Sequence, residues 1–483
     1  MNPFNQIFQV VLEEITPTTE EISTINEIID IVVVLLKQSA KELNISISKI
    51  EPQGSTGIKQ TQLRNDFDVD LFIGLNFNSY RSTQAGVSRN KQKKAYKKEF
   101  LKLCNEWILK SLALKEIKEA NILYAEHPYV KTKFLDPERG IDLKLDIVLY
   151  FDLPLDYIQK HGPITAVDRS PWHGRFVRDN LSNDQKNYVR LLKQFFKSSH
   201  CYGDKSALGN GGFIGYSAEL LIYHFKNILN VFKHFDEFRT IPMDYFQRSK
   251  SELRKIHHFN KDYFLLIDPV DKNRNVASAI SERAYKYCRQ RIKEFMRNPS
   301  KIFFEITPIP EENSEKLENF FVVECRNKDK GVHYTINRDK LYSLGESIKK
   351  MGEKEFSREE RFGKIEFEVY FEDDFGEYSI AFYCTNPSIS KTYLRRGPMI
   401  NNYEHVEIFK KKNRNYIEKN NYIWVESTRE YVKFQEFLSE IVSNRIPDNL
   451  LILNIAKSGG ITTSTGKKAL FVLKNFVLPY IDA

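Results

Sequence analysis

Three aspartates and a glycine-serine pair are the residues here whose types and spacing suit them for chemistry. Gly54-Ser55 is followed, 13 residues after the serine, by Asp68-Val69-Asp70, and Asp146 lies further on in Leu143-Lys144-Leu145-Asp146-Ile147-Val148. From Phe67 to Ile73 the sequence alternates as a strand does. That period puts Phe67, Val69, Leu71 and Ile73 on a buried face, with Asp68 and Asp70 together on the other, roughly 6.5 to 7 Å apart. Carboxylates held so close repel each other and call for a cation. Hard oxygen ligands in this arrangement suit Mg²⁺, which binds through one or two carboxylates plus substrate phosphates. Asp146 on a neighbouring strand completes a two-metal site, in which one ion lowers the pKa of an attacking hydroxyl and the other holds a triphosphate and its leaving group. Gly54 permits close backbone approach, and Ser55 can donate to a phosphate oxygen from a tight turn that opens a helix. Asp66, at the strand's entrance, reads as a solvated or supporting residue. Asp142 shares a face with Asp146 and is the alternative third carboxylate; Asp146 is preferred for its more apolar context.

The elements that must position these residues follow from the hydrophobic pattern. Residues 22–43 predict a helix, 67–75 and 141–150 predict strands, and 90–118 a lysine-studded helix, which together give a small α/β unit on an incomplete sheet. Pro154, Gly162 and Pro163 break the pattern, and a mostly helical region runs from about 184 to 297. Ser182 or Asp184 can cap its first helix, in which Val189, Leu192, Phe195 and Ser199 keep helical spacing. Strands return at Ile302–Ile306, Phe320–Glu324, Lys364–Phe371 and Tyr378–Tyr383. The fold class expected is α+β.

The chain has 483 residues, 41% hydrophobic and 28% charged, too long for one core and too apolar to be disordered. A net charge of +9 fits a polyanionic partner as well as it fits a slightly basic enzyme. The five cysteines are odd in number and scattered, which argues against a disulfide framework or zinc ribbon and for a reducing cytoplasmic setting. The N-terminus lacks the basic start and cleavage site of a signal peptide, and the longest apolar run, Ile28 to Leu36, is interrupted by Asp30 and too short to span a membrane. Lysines 91, 93, 94, 97 and 98 read as a solvated helix face; Lys410, Lys411, Lys412 and Arg414 are the better candidates for phosphate contacts.

Gly-Ser followed by Asp-x-Asp and a later strand aspartate resembles the polymerase-β-like nucleotidyltransferase superfamily. Within it, further segments resemble the archaeal-type (class I) CCA-adding enzymes, the tRNA nucleotidyltransferases. They are Tyr124–Val130, Ala166–His173, Val189–Lys193 with Tyr202-Gly203, Gly215–Leu221, Asp268–Ala277 and Arg395–Pro398, in order along the whole chain. The resemblance implies a catalytic head over 1–155, a helical, nucleotide-selecting neck over 156–297, a body over 298–333 and 399–483, and a tail over 334–398, body and tail gripping tRNA. It also implies addition of CMP and AMP from CTP and ATP to a tRNA 3′ end. Asp68, Asp70 and Asp146 would bind Mg²⁺, and Gly54, Ser55 and Lys59 would meet the triphosphate from the head, with Ser170, His173, Lys193 and Tyr202 from the neck. Arg274 would read the base, and the backbone around Ala125 to His127 would face the same pocket. Three places depart from the family pattern: the loop Gly54–Thr61 is one residue longer, Ala207–Gly212 is longer and lacks an arginine, and Gly174 stands where a second histidine is frequent. Alternative readings are a relative making oligo(A) tails or nucleotide signals, and a catalytically inactive RNA-binding protein. A homodimer stays open.

Overall fold

The computed structural model describes residues 3–65, 68–81, 89–124, 127–312, 317–328, 332–372 and 376–482, and it divides into two compact units. The first comprises Met1–Gly203, Phe213–Ile280 and Cys288–Ile306. It is built on a five-stranded sheet of β1 (Ile47–Gln53), β2 (Asp68–Leu75), β3 (Ile117–Tyr124), β4 (Pro128–Asp136) and β5 (Ile141–Phe151), in the order β1-β2-β5-β4-β3. Only the central pair, β2 and β5, runs parallel.

Val69, Leu71 and Ile73 of β2 and Leu145, Ile147 and Leu149 of β5 are fully buried, as their alternation predicts; Asp66 and Phe67 lie outside the described residues. These side chains form one core with Ile25, Ile28, Val32 and Leu36 of the helix Thr19–Glu42, and with Trp107, whose indole donates to the Leu36 carbonyl at 3.2 Å. A capping box of Thr18 and Glu21 starts that helix. The lysine-studded helix begins at Arg89, with lysines 91, 93, 94, 97 and 98 exposed, but helical structure ends at Ser111, and Ile117–Tyr124 is strand β3.

Three helices complete what the site needs. Ser170–Asn180 follows the sheet. Asn183–Ser198 starts at a capping box of Ser182 and Gln185 and buries Val189, Leu192 and Phe195. Gly215–Phe225 is apolar and buried along most of its length. The strand expected at Ile302–Ile306 is instead a 3₁₀ turn, Lys301–Phe304, capped by Ser300. Its Phe304 sits edge-on to Phe8, Phe195 and Phe295, so the apolar run serves an aromatic cluster.

The second unit comprises Asp204–Gly212, Ser281–Tyr287 and Thr307–Ala483. It holds an antiparallel sheet of β6 (Phe320–Asn327), β7 (Ile365–Glu372), β8 (Glu377–Cys384) and β12 (Leu450–Lys457), in the order β12-β6-β8-β7. Strands from the stretch expected as tail thus pair with strands expected as body. A three-stranded sheet, β10-β11-β9, joins β9 (Thr392–Met399), β10 (Tyr416–Lys419) and β11 (Tyr422–Thr428). The fold is α+β throughout. Among the described residues no helix is long and apolar enough to cross a membrane.

Candidate active site

Strand register sets the carboxylates. Asp70 pairs directly with Asp146 across the parallel β2–β5 ladder, while Asp68 pairs with Lys144. Residues paired across a ladder share a face, and Gln53 opposes Asp70 on one side as Lys131 opposes Asp146 on the other. One face of the sheet therefore carries the row Gln53, Asp70, Asp146, Lys131. Asp142 stands four residues back along β5, exposed and opposite Leu135, outside this row. Burial, then the charges of Asp146 and Asp68, push the Asp70 carboxyl up to about 7, against the pull of Lys59 and Lys131. Burial likewise raises Asp146. Tyr129, also in β4, is pushed up to about 12 by burial and by Asp146 and Asp70.

The Gly-Ser turn lies on this row. Gly54 has φ +70°, and a Cβ there would meet Asp70 Oδ2 at 2.4 Å, so only glycine lets the backbone pass. Ser55–Lys59 is wound wider than an α-helix, with the Thr61 amide donating to the Ser55 carbonyl at 2.9 Å. Gly57, with φ −86° and ψ −125°, kinks the turn.

The residues fit a divalent cation. Asp146 Oδ1 is buried without a hydrogen-bond partner, Asp70 lies beside it, and Asp68 is exposed two residues upstream. Among the described residues no group of three or more His, Cys, Asp or Glu side chains is gathered closely enough to hold a metal ion by itself. Mg²⁺-type sites complete their shell with water and substrate phosphates, so an open set of carboxylates is sufficient.

Lysines gather at the far end of the turn. Lys59 donates to Glu219 Oε2 at 2.7 Å, Thr61 Oγ1 donates to Oε1 at 2.7 Å, and Lys193 reaches Oε1 at 3.4 Å and the Thr61 carbonyl at 3.0 Å. Lys193 is not on a solvated face: it is buried, and burial brings its ammonium down to about 8 although Glu219 opposes the fall. Arg190 is also buried and donates to the Gln60 and Gln62 carbonyls and to Asn187. One carboxylate thus serves two ammonium groups, and the guanidinium adds a further positive charge. Gly215 opens its helix so close to Lys193 and Tyr202 that a Cβ would lie 3.1 Å from the Tyr202 hydroxyl.

A second buried carboxylate, Asp268, organises the neighbouring corner. It accepts from His173 Nε2 at 2.7 Å, from Arg274 at 3.0 Å and from the Tyr216 hydroxyl at 3.0 Å. Burial drives the His173 imidazole down to about 4, so the ring is neutral and stacks on Tyr216, with centroids 4.2 Å apart. Burial would raise Asp268, but His173 and Arg274 hold it well below the usual carboxylate range. Arg274 keeps 25% of its side chain exposed and its guanidinium lies 5.8 Å over the Tyr216 ring.

These contacts bring Gly54, Ser55, Lys59, Asp70, Asp146, His173, Lys193, Tyr202 and Arg274 into the first unit's sheet face and adjoining helices. Ser170 is half-buried at the start of its helix. His127 is buried with its ring edge-on to Phe100 at 5.7 Å; Ala125 and Glu126 lie outside the described residues. Gly174 has a structural reason: a Cβ would meet Ile58 at 2.4 Å and Gln53 Oε1 at 2.6 Å, so the helix packs backbone-first on the turn Ser55–Lys59 and no histidine fits. Within the second unit, Gly209 of the stretch Ala207–Gly212 donates to the Glu368 carboxylate. Glu219, Asp268, Thr61 and Tyr216 are residues that the motif reading did not single out. A lone glutamate in the apolar run Gly215–Phe225 is the signal that could have found the first.

The profile of the tRNA nucleotidyltransferase second domain matches residues 187–305, and that of the CCA-adding enzyme C-terminal domain matches 335–446. The CCA-adding enzyme of Methanocaldococcus jannaschii is 29% identical over 91% of both chains, and that of Thermococcus kodakarensis 28% identical over 93% of this chain and 91% of its own. The Thermoplasma volcanium enzyme is 38% identical over 39% of this chain and 38% of its own. Among solved structures, Cid1 in complex with a UTP analog covers 63% of this chain and 98% of its own, at TM-score 0.44 and 13% identity. Two domain profiles in sequence order and archaeal relatives aligned over nine-tenths of their length make the chain similar to the archaeal-type CCA-adding enzymes, the tRNA nucleotidyltransferases.

Proposed function

We propose that this chain completes and repairs the 3′ end of tRNA by adding CMP and AMP from CTP and ATP, with Asp68, Asp70 and Asp146 as its metal ligands. The observation that carries the residue assignment is the in-register pair Asp70–Asp146 beneath the Gly54 turn. A divalent cation, Mg²⁺ in our reading, supplies there a lowered pKa for the attacking 3′ hydroxyl and charge stabilisation for the triphosphate. The 3′ oxygen attacks the α-phosphorus, the α–β phosphoanhydride bond breaks and pyrophosphate leaves. Asp146, with its unpartnered Oδ1, is placed to accept the hydroxyl proton.

Gly54 and Ser55 cradle the triphosphate, and Lys59 and Lys193, held by Glu219, supply charge to it, with Ser170, His173 and Tyr202 as further donors. Arg274, fixed by Asp268, reads the edge of the base, with the segment at His127 on the same pocket. The head then corresponds to 1–155 and the neck to 156–297, and 298–333, 334–398 and 399–483 form the tRNA-binding body and tail, with Lys410, Lys411, Lys412 and Arg414 as phosphate contacts. The test is incubation of the purified protein with tRNA lacking CCA, Mg²⁺ and each labelled nucleotide in turn, beside Asp68→Ala/Asp70→Ala. Stepwise C, C, A addition that the double variant loses is the expected result; A-only extension, or products made without tRNA, would refute the proposal.

A further inference from the structure

Gln53 ends β1 only 1% exposed, and among the described residues neither Nε2 nor Oε1 has a hydrogen-bond partner. A buried amide left so is a net cost, which an apolar side chain of similar volume would avoid. Its register neighbour on the same face is Asp70. Asp70 presents the complementary need, because among the described residues its carboxylate is influenced by burial and by charges but no donor reaches it. An unused donor therefore stands beside an unused acceptor. On its other side Gln53 is closed in: Oε1 would lie 2.6 Å from a Cβ at Gly174, and Ile58 fills the same space. The amide has little room except along the row that continues through Asp70 to the unpartnered Oδ1 of Asp146.

Carboxylates that ligate metals are ordinarily held by a further hydrogen bond from the protein, and losing that partner costs about 10–100-fold in metal affinity or activity. We propose that Gln53 is a positioning residue for the metal carboxylates: in the loaded site its Nε2–H donates to the Asp70 carboxylate and fixes which oxygen faces the ion. The inference rests on the reading of Asp68, Asp70 and Asp146 as metal ligands.

The experiment compares the full-length wild type with Gln53→Leu and Gln53→Met. Mn²⁺ affinity is measured by electron paramagnetic resonance without nucleotide, Tm without metal, and kcat and KM for CTP on tRNA ending in its first C. The expected result is Mn²⁺ binding about tenfold weaker and a comparable fall in kcat, with KM for CTP changed less than about twofold. Tm should stay at or above the wild-type value, which a merely structural role would not give together with weaker metal binding. Both variants retaining Mn²⁺ affinity and kcat would overturn the proposal. Should the branched leucine disturb folding, unbranched methionine gives the same reading. A wild type that binds Mn²⁺ but adds nothing to tRNA would refute the functional reading while leaving the Gln53 test intact.

Discussion

Replacing Glu219 by glutamine removes one charge and almost no volume. The carboxylate holds Lys59 and Thr61 at 2.7 Å and Lys193 at 3.4 Å, and it is 1% exposed. The amide keeps an acceptor for Thr61, so packing survives, but two buried ammonium groups lose their only shared counter-charge. Breaking a buried pair from one side costs about 3–5 kcal/mol. Lys193 can escape part of this by losing its proton, since burial has already brought it down to about 8. The expected loss near pH 7 is therefore at the lower end, about 3 kcal/mol, or about 6–12 °C in Tm at 2–4 °C per kcal/mol. The pH dependence has a definite sign. A lysine whose folded pKa lies below its unfolded value makes folding costly while it is charged, and the cost is relieved as pH rises through the folded pKa. In the variant that relief begins below pH 8, in the wild type only above it, so the Tm deficit should narrow as pH approaches 8. A triphosphate supplies the missing negative charge, so CTP should raise the variant's Tm more than the wild type's. The assay is scanning calorimetry across pH 6–9 with and without CTP. A variant melting within about 2 °C of wild type, with the same CTP shift, would refute the charge accounting.

Asp70→Asn and Asp146→Asn should each lower single-nucleotide addition by at least about 10²–10³-fold while leaving Tm unchanged or higher, because each relieves like-charge repulsion; rate and melting are measured on one preparation. Since Asp70 titrates at about 7, an incoming cation must displace a proton below that pH. Mg²⁺ affinity should fall about tenfold per pH unit below 7 and level off above it, as titration of activity against Mg²⁺ at pH 6, 7 and 8 would show; a flat profile would be inconsistent. Gly174→Ala places a Cβ 2.4 Å from Ile58 and 2.6 Å from Gln53, and should cost about 1–3 kcal/mol in urea unfolding.

What the sequence made legible depended on the range of the interaction. The period-two run into Ile73 and the capping residue at Ser182 or Asp184 are local signals, and the strand and helix they predict are present, with Ser182 as the cap. Strand β1 is not legible in the sequence because Ile47–Gln53 lacks alternation and carries Pro52, as an edge strand can. The helix predicted to 118 overran because no glycine or proline marks its end at 111. The run Ile302-Phe303-Phe304 was too short for periodicity to separate a strand from a turn. The aspartates announced themselves by spacing. Glu219 could not, because its partners lie 26 and 160 residues away and its contacts exist only once the turn Ser55–Lys59 meets the helices Asn183–Ser198 and Gly215–Phe225.

The two halves of the site are also opposite in charge, and the turn Ser55–Lys59 joins them. At its start, Gly54 rests on Asp70, where three carboxylates have Lys131 and Lys144 as register neighbours and Asp70 also feels the charge of Lys59. At its end, Lys59 enters a buried group in which Glu219 answers two lysines and Arg190 answers only carbonyls and an amide. Neither end is neutral alone, and each would be relieved by a different part of one ligand: a divalent cation against the carboxylates and polyphosphate oxygens against the ammonium groups. A metal–triphosphate complex carries both charges at a fixed separation, so it can satisfy both ends together, whereas free cation or free triphosphate leaves one end unmatched. Binding of either component should therefore be strengthened by the other, and Glu219→Gln should uncouple them by strengthening the pull on triphosphate whether or not the cation is present.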